Sequence, residues 1–81
     1  MSYLKSELHW KKGVTDYGAV RVTLKHKNKV LGYVEAYPKY TACDEERNKF
    51  FYSIGKPSQN NEQYRVETLE EGMNALQRVL L

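Results

Sequence analysis

The chain has 81 residues, a formal net charge of +3 and a single cysteine. This length allows one domain over residues 1–81 and leaves no room for a second core. One cysteine excludes an internal disulfide framework. The sequence has no apolar N-terminal leader, and no apolar run reaches the ~18 residues that a membrane span needs. Because 41% of the residues are hydrophobic, disorder is excluded as well, and we expect a small globular protein of the cytoplasm without a membrane partner.

Positive charge is concentrated in the first half of the chain. Residues 1–40 carry eight basic and three acidic side chains, whereas residues 41–81 carry five basic and seven acidic ones. Such an asymmetry is typical of a surface that faces a polyanion. A content of 28% charged residues is also ordinary for a solvated surface, so charge alone does not identify the partner.

The clearest predicted element is a helix over residues 69–80. Thr68 and Glu71 have the spacing of a capping box, in which Thr68 accepts from the Glu71 amide and Glu71 accepts from the Thr68 amide. Behind this cap, four apolar residues form one stripe at helical spacing: Leu69, Met73, Leu76 and Leu80. Gly72 beside the stripe would weaken an isolated helix, so we expect the helix backbone to approach its neighbour closely.

The residues before the helix are predicted to form strands. In residues 19–27 apolar side chains alternate with polar ones, which predicts a strand with one buried face. Residues 26–29 form a turn in which Asn28 favours a positive φ, and residues 30–37 form the returning strand. The smaller apolar face of this strand is expected under the helix, unless a bulge at Gly32 shifts its phase. That face consists of Val30, Gly32, Val34 and Ala36.

Three further segments complete the predicted sheet. Residues 49–54 and residues 64–66 are predicted strands, and the turn-forming residues 55–62 between them are an exposed loop. Residues 7–10 form either another strand or an N-terminal turn of helix through Leu4 and Leu8. The predicted fold class is α+β, with an antiparallel sheet of four to five strands and one C-terminal helix packed on one face.

No residue pattern indicates catalysis or metal binding. The acidic neighbours of Cys43 disfavour its thiolate, which is the form that a nucleophile or metal ligand requires. His9 and His26 have no partner at a metal-ligand spacing. Residues 55–58 contain Gly-Lys but lack the upstream glycine of a phosphate-binding loop. We therefore predict a protein that is not an enzyme and takes no cofactor or metal.

The sheet face that the helix leaves uncovered is predicted to carry the binding residues. It combines cations with flat aromatic rings, which suits single-stranded nucleic acid because rings stack on bases and cations follow phosphates. The candidate site residues are Arg21, Thr23, Lys25, Lys27, Tyr33, Tyr37, Lys39 and Phe51. Glu35 lies in the middle of this face and disfavours an anionic partner.

A protein partner is the alternative interpretation of the same face. Tyrosine and arginine are enriched at the centres of protein interfaces, and an exposed sheet edge would offer a second contact. The predicted layout is similar to that of integrase arm-binding domains and of small phage or mobile-element proteins that inhibit host factors, although their diagnostic motifs are absent. The sequence thus predicts a small binding module for nucleic acid, with a protein-binding inhibitor or adaptor as the alternative.

The apolar end of the chain raises the question of self-association. The last three residues, Val79, Leu80 and Leu81, cannot all face the core from one helix. A second copy that covers them would give a homodimer. Alternatively, Leu81 folds back onto Trp10 or Tyr3 of the same chain.

Overall fold

A computed structural model describes residues 5–37, 43 and 47–81. Its fold is α+β, with a five-stranded antiparallel sheet followed by one helix, as predicted. The strands are β1 (Leu8–Val14), β2 (Val20–His26), β3 (Lys29–Ala36), β4 (Phe50–Ile54) and β5 (Tyr64–Val66). Neighbouring strands follow chain order across the sheet, so β1 and β5 form its two edges.

The first strand settles the alternative that the sequence left open for residues 7–10. A 3₁₀ turn over Lys5–Glu7 leads directly into β1, which pairs with β2 from Leu8 to Val14. The strand is longer than predicted. Its second half, Lys11-Lys12-Gly13, has no apolar alternation and is exposed, yet its backbone pairs fully with β2.

Helix α1 (Leu69–Leu80) begins and ends at the predicted residues. Thr68 Oγ1 accepts from the Glu71 amide at 3.1 Å, which confirms one half of the predicted capping box. The other half is wrong, because Glu71 Oε2 accepts from the Glu67 amide at 3.3 Å instead of from the Thr68 amide. Within the described part of the chain, no helix combines the length and the hydrophobicity required to cross a bilayer.

The core lies between α1 and the sheet. Leu24, Val34 and Leu76 are fully buried at its centre. A Cβ atom added to Gly72 would lie 2.7 Å from Val34 Cγ1, and one added to Gly32 would lie 2.8 Å from Leu76 Cδ1. The helix and the sheet therefore touch where each has a glycine, which confirms the close approach predicted for Gly72. Seven partly buried side chains pack around this centre: Leu8, Trp10, Phe50, Tyr52, Leu69, Met73 and Leu80.

A register shift changes the phase of β3 at its start. Leu24 pairs with Gly32, whereas the next residue, Lys25, pairs with Val30, so that Leu31 has no opposite residue. As a result Val30 lies beside Thr23 and Lys25. The prediction that Val30 lies under the helix is wrong, because a bulge shifts the phase of β3; it occurs at Leu31, one residue before the position considered at Gly32.

The turn between β2 and β3 also differs from the prediction in one detail. Lys27 has a φ of 57° and occupies the left-handed region, and Asn28 does not have a positive φ. The turn leaves Lys27, Asn28 and Lys29 exposed at one end of the sheet.

Candidate nucleic-acid interface

The sheet face opposite the helix is closed at its centre. Tyr33 and Phe51 are only 6% and 4% exposed, and their rings meet edge to face with centroids 6.2 Å apart. Glu35 and Ser53 beside them are buried too. The expectation of an uncovered face is therefore wrong at this position, and neither ring is available for stacking on a base.

Two contacts contribute to this closure. Ser53 Oγ donates to the carbonyl oxygen of Glu62 at 2.9 Å, which draws the loop between β4 and β5 toward the sheet. The ring of Tyr37, just beyond β3, packs on Phe51 with a centroid distance of 4.9 Å. Both contacts join residues from different elements, so alternation within a single strand gives no sign of them.

Glu35 is the partner of two neighbouring side chains. Arg21 Nε donates to Glu35 Oε1 at 2.8 Å, and the Tyr17 hydroxyl donates to Glu35 Oε2. Arg21 also lies over the Tyr33 ring, with its guanidinium carbon 5.7 Å from the ring centroid. Burial lowers the pKa of Arg21, but the hydrogen bond and charge of Glu35 outweigh it and raise that pKa overall. The negative charge of Glu35 is thus balanced by Arg21, so Glu35 does not repel an anionic partner.

The loop between β1 and β2 holds Tyr17 in place. Thr15 is buried, and its hydroxyl accepts from the Ala19 amide at 3.0 Å. Its carbonyl accepts from the Gly18 amide at 3.0 Å, and Gly18 has a φ of 85°, which glycine adopts readily. This loop was not among the predicted elements, although Thr-Asp-Tyr-Gly at residues 15–18 is rich in turn-forming residues.

A first basic depression of about 280 Å³ lies along β1 and β2. Four cationic residues line it: Lys11, Lys12, Arg21 and Lys25. Thr23 and Val30 contribute to its floor, and among the described residues that line it there is no carboxylate. Arg21 is engaged by Glu35, so the lysines carry the charge that is open to a ligand.

A second basic depression of about 600 Å³ lies at the adjoining end of the sheet. It is lined by Lys27 of the turn, by Lys29 at the start of β3 and by Lys56 from the loop after β4. The fold brings Lys56 there because β3 and β4 are antiparallel, and the Gly55 amide donates to the Leu31 carbonyl at 2.9 Å. His26 also lines this depression, and its Nε2 atom lies 4.0 Å from Glu7 Oε2.

We call the lysines that line the two depressions the six-lysine surface: Lys11, Lys12, Lys25, Lys27, Lys29 and Lys56. Lys11 lies opposite Thr23, whereas Lys12 lies opposite Val22, so Lys12 contributes to the first depression from the edge of the sheet. None of these six side chains forms an ion pair with a residue of the described part of the chain. Because these cations lie close together at the two depressions, they raise the local positive potential. Of the six, Lys25 and Lys27 are among the predicted site residues.

The predicted site residues thus separate into groups. Thr23, Lys25 and Lys27 lie in the two depressions, and Arg21 lines the first while it binds Glu35. Tyr33 and Phe51 are buried, and the half-buried Tyr37 packs on Phe51. Lys39 lies outside the described residues.

A third concave surface lies between the edge strand β5 and the helix. This groove of about 670 Å³ is lined in part by Tyr64, Arg65 and Arg78. Tyr64 stacks on Tyr52 with a centroid distance of 5.1 Å, and 41% of it remains exposed. Its hydroxyl donates to Glu62 at 2.9 Å, and this hydrogen bond raises the pKa of Tyr64.

The remaining reactive side chains do not converge. The described residues contain no group of three or more His, Cys, Asp or Glu side chains that could hold a metal ion. Cys43, whose acidic neighbours disfavour the thiolate, is exposed. Comparison of the chain with protein-family models, curated proteins and solved structures finds no match.

Proposed function

We propose that this protein is a non-catalytic nucleic-acid-binding module, and that its contact surface is the six-lysine surface. The supporting observation is the convergence of unpaired lysines from β1, β2, the following turn and the loop after β4. Phosphate groups are the most regular array of anions that such a surface can meet, and lysines bind them as point charges. The proposed contact surface therefore differs from the one predicted from the sequence: it lies at β1 and the turn instead of at the tyrosine-rich centre of the sheet face.

A purely protective role explains these lysines less well. Lysines on an edge strand prevent the strand from pairing with another sheet, and this accounts for Lys11 and Lys12 on β1. It does not account for Lys56, which lies after the interior strand β4 and reaches the turn lysines only in the folded chain. The surface is therefore better explained by a shared anionic ligand.

Fluorescence anisotropy with a labelled oligonucleotide at low salt tests the proposal. The variant that carries Lys11→Gln, Lys25→Gln and Lys27→Gln removes three charges from the surface and leaves the Arg21–Glu35 pair intact. We expect its affinity to fall by about tenfold or more, because each lost phosphate contact removes a favourable counterion release.

The matched control removes three charges elsewhere, through Lys49→Gln, Arg65→Gln and Arg78→Gln. Lys49 lies at the opposite end of β4 from Lys56 and pairs with Glu67 at 3.5 Å, whereas the two arginines line the groove beside β5. We expect the affinity of the control to stay within about threefold of that of the unaltered protein. The charges that it removes lie away from the six-lysine surface and act on the nucleic acid only at long range. No binding by the unaltered protein, or an equal loss in both variants, would contradict the proposal.

A protein-binding inhibitor or adaptor is the second candidate function. It is favoured by the groove between β5 and α1, where the outer edge of β5 pairs with no other described strand. An extended segment of a partner could add to that edge and place side chains against Tyr64. In that case the control variant would lose the partner and the lysine variant would keep it.

Self-association is a further proposal that concerns the end of the helix. Leu80 packs against the core, whereas Val79 and Leu81 are 56% and 41% exposed. Two copies that bury these side chains against each other would form a homodimer with a twofold axis. Sedimentation equilibrium supports the dimer if the mass rises with concentration, and a constant mass of 9.5 kDa contradicts it.

A further inference from the structure

We infer that the nucleic acid is double-stranded and is bound through its phosphates with little preference for base sequence; this inference rests on the proposed function. Three observations lead to it: the burial of the aromatic rings, the length of the basic surface, and the kind of cation that the surface presents.

The first observation concerns stacking. Proteins that bind single strands stack the bases on exposed aromatic rings. Here Tyr33 and Phe51 are buried, and Tyr37 packs on Phe51. Tyr17, in the loop between β1 and β2, is 53% exposed, but its hydroxyl is held by Glu35. Among the described residues, this one exposed ring beside the six-lysine surface does not form the row of stacking sites that a single strand needs.

The second observation concerns length and rigidity. On the face opposite the helix, the lysines run from Lys11, which lies opposite Thr23 of β2, through Lys25 to Lys27 in the turn. At about 3.3 Å per residue, the four steps from Thr23 to Lys27 extend over about 13 Å. The charges of one strand of a duplex advance by about 3.4 Å per base pair along the helix axis, so this length corresponds to about four base pairs. Side chains on a paired strand have fixed spacings, which suits the fixed spacing of charges on a duplex. A stiff duplex also has less conformational entropy to lose on binding than a single strand has.

The third observation concerns the side chains themselves. Specific readout of bases uses arginine or lysine on guanine and asparagine or glutamine on adenine. Arginine has a rigid fork of donors that suits two hydrogen bonds to one base edge, whereas the ammonium group of lysine is a compact point charge without a fixed fork. The six-lysine surface presents ammonium groups instead, and Arg21 beside it is engaged by Glu35. Asn28 at the turn is an amide that could contact a base. The predominance of lysine indicates contact with phosphates, which are the same for every sequence.

The test compares four probes at about 50 mM salt: a DNA duplex of about 16 base pairs, one of its strands alone, a duplex of shuffled sequence, and an RNA duplex with the sequence of the first. We expect at least one of the two unshuffled duplexes to bind about fivefold or more tightly than the single strand, and the two DNA duplexes to agree within about twofold. The difference in affinity between the DNA and RNA duplexes shows whether the surface prefers a backbone of deoxyribose or of ribose.

Each contrary result has a distinct meaning. Binding of the single strand as tightly as, or more tightly than, both unshuffled duplexes overturns the inference while the proposed function stands. Loss of about tenfold in affinity on shuffling overturns the absence of sequence preference. Failure to bind any of the four probes overturns the proposed function itself. The variant with Lys11→Gln, Lys25→Gln and Lys27→Gln should also reduce the preference for duplex, and an unchanged preference would show that it arises elsewhere.

Discussion

Arg21 and Glu35 lie directly opposite each other on β2 and β3, and Arg21 Nε donates to Glu35 Oε1 at 2.8 Å. The carboxylate is 3% exposed, and its second oxygen accepts from the Tyr17 hydroxyl. A glutamate on the predicted binding face is thus a structural residue that ties the loop between β1 and β2 to the centre of the sheet.

The first prediction concerns Glu35→Gln. The amide keeps the shape of the side chain but removes the charge that both donors share, so we expect the free energy of unfolding to fall by about 1–3 kcal/mol. Chemical denaturation measures this loss. Glu67→Gln is the control, because its pair with Lys49 is exposed and should contribute less than about 1 kcal/mol. Equal effects would contradict the structural role of Glu35.

The second prediction concerns alkaline pH. Burial and the hydrogen bond to Glu35 raise the pKa of Tyr17, so the unfolded chain releases this proton at a lower pH than the folded one. The stabilising effect is complete below the ordinary tyrosine pKa of about 10 and is lost as pH rises through the folded pKa. As pH rises above about 10, we expect stability to fall more steeply in the unaltered protein than in Tyr17→Phe. Parallel pH profiles from chemical denaturation would contradict this expectation.

The third prediction tests the contact between helix and sheet. Leu76 is fully buried at the centre of the core, so Leu76→Ala should lower the free energy of unfolding by about 2–5 kcal/mol. Thr68→Ala removes only the cap and should cost about 1 kcal/mol. Equilibrium denaturation compares the two variants, and equally mild effects would show that the helix does not cover the sheet.

The fourth prediction compares two glycines. Gly72→Ala would place a methyl group 2.7 Å from Val34 Cγ1, and we expect a net loss of about 1–3 kcal/mol despite the better helix propensity of alanine. Gly13 has no atom within 4 Å of an added Cβ, so Gly13→Ala should leave stability unchanged or slightly higher. Thermal unfolding measures both. A stabilising Gly72→Ala would mean that the helix backbone does not lie on Val34.

The sequence was sufficient to predict the elements whose side chains repeat with a clear period. The stripe from Leu69 to Leu80 and the cap at Thr68 predicted the bounds of α1, and the alternation in residues 19–27 predicted β2. The second half of β1 could not be predicted in this way. Lys11-Lys12-Gly13 has no periodic apolar residue, and the backbone of β2 alone makes it a strand.

The candidate site was less accessible to prediction because it depends on contacts between distant segments. The burial of Tyr33 and Phe51 and the position of Val30 depend on side-chain packing across strands and on the shift between Leu24 and Lys25. Lys56 reaches the turn lysines only through the pairing of β3 with β4. Charge asymmetry predicted the chemistry of the surface, and the topology determined which lysines form it.

The salt dependence of duplex binding tests the central claim most directly. If all six lysines neutralise a phosphate, the logarithm of the binding constant should fall with the logarithm of salt concentration with a slope of about −5.4. The variant with Lys11→Gln, Lys25→Gln and Lys27→Gln should have a slope of about −2.7. A slope near zero for the unaltered protein, or the same slope for both proteins, would contradict binding through the six-lysine surface.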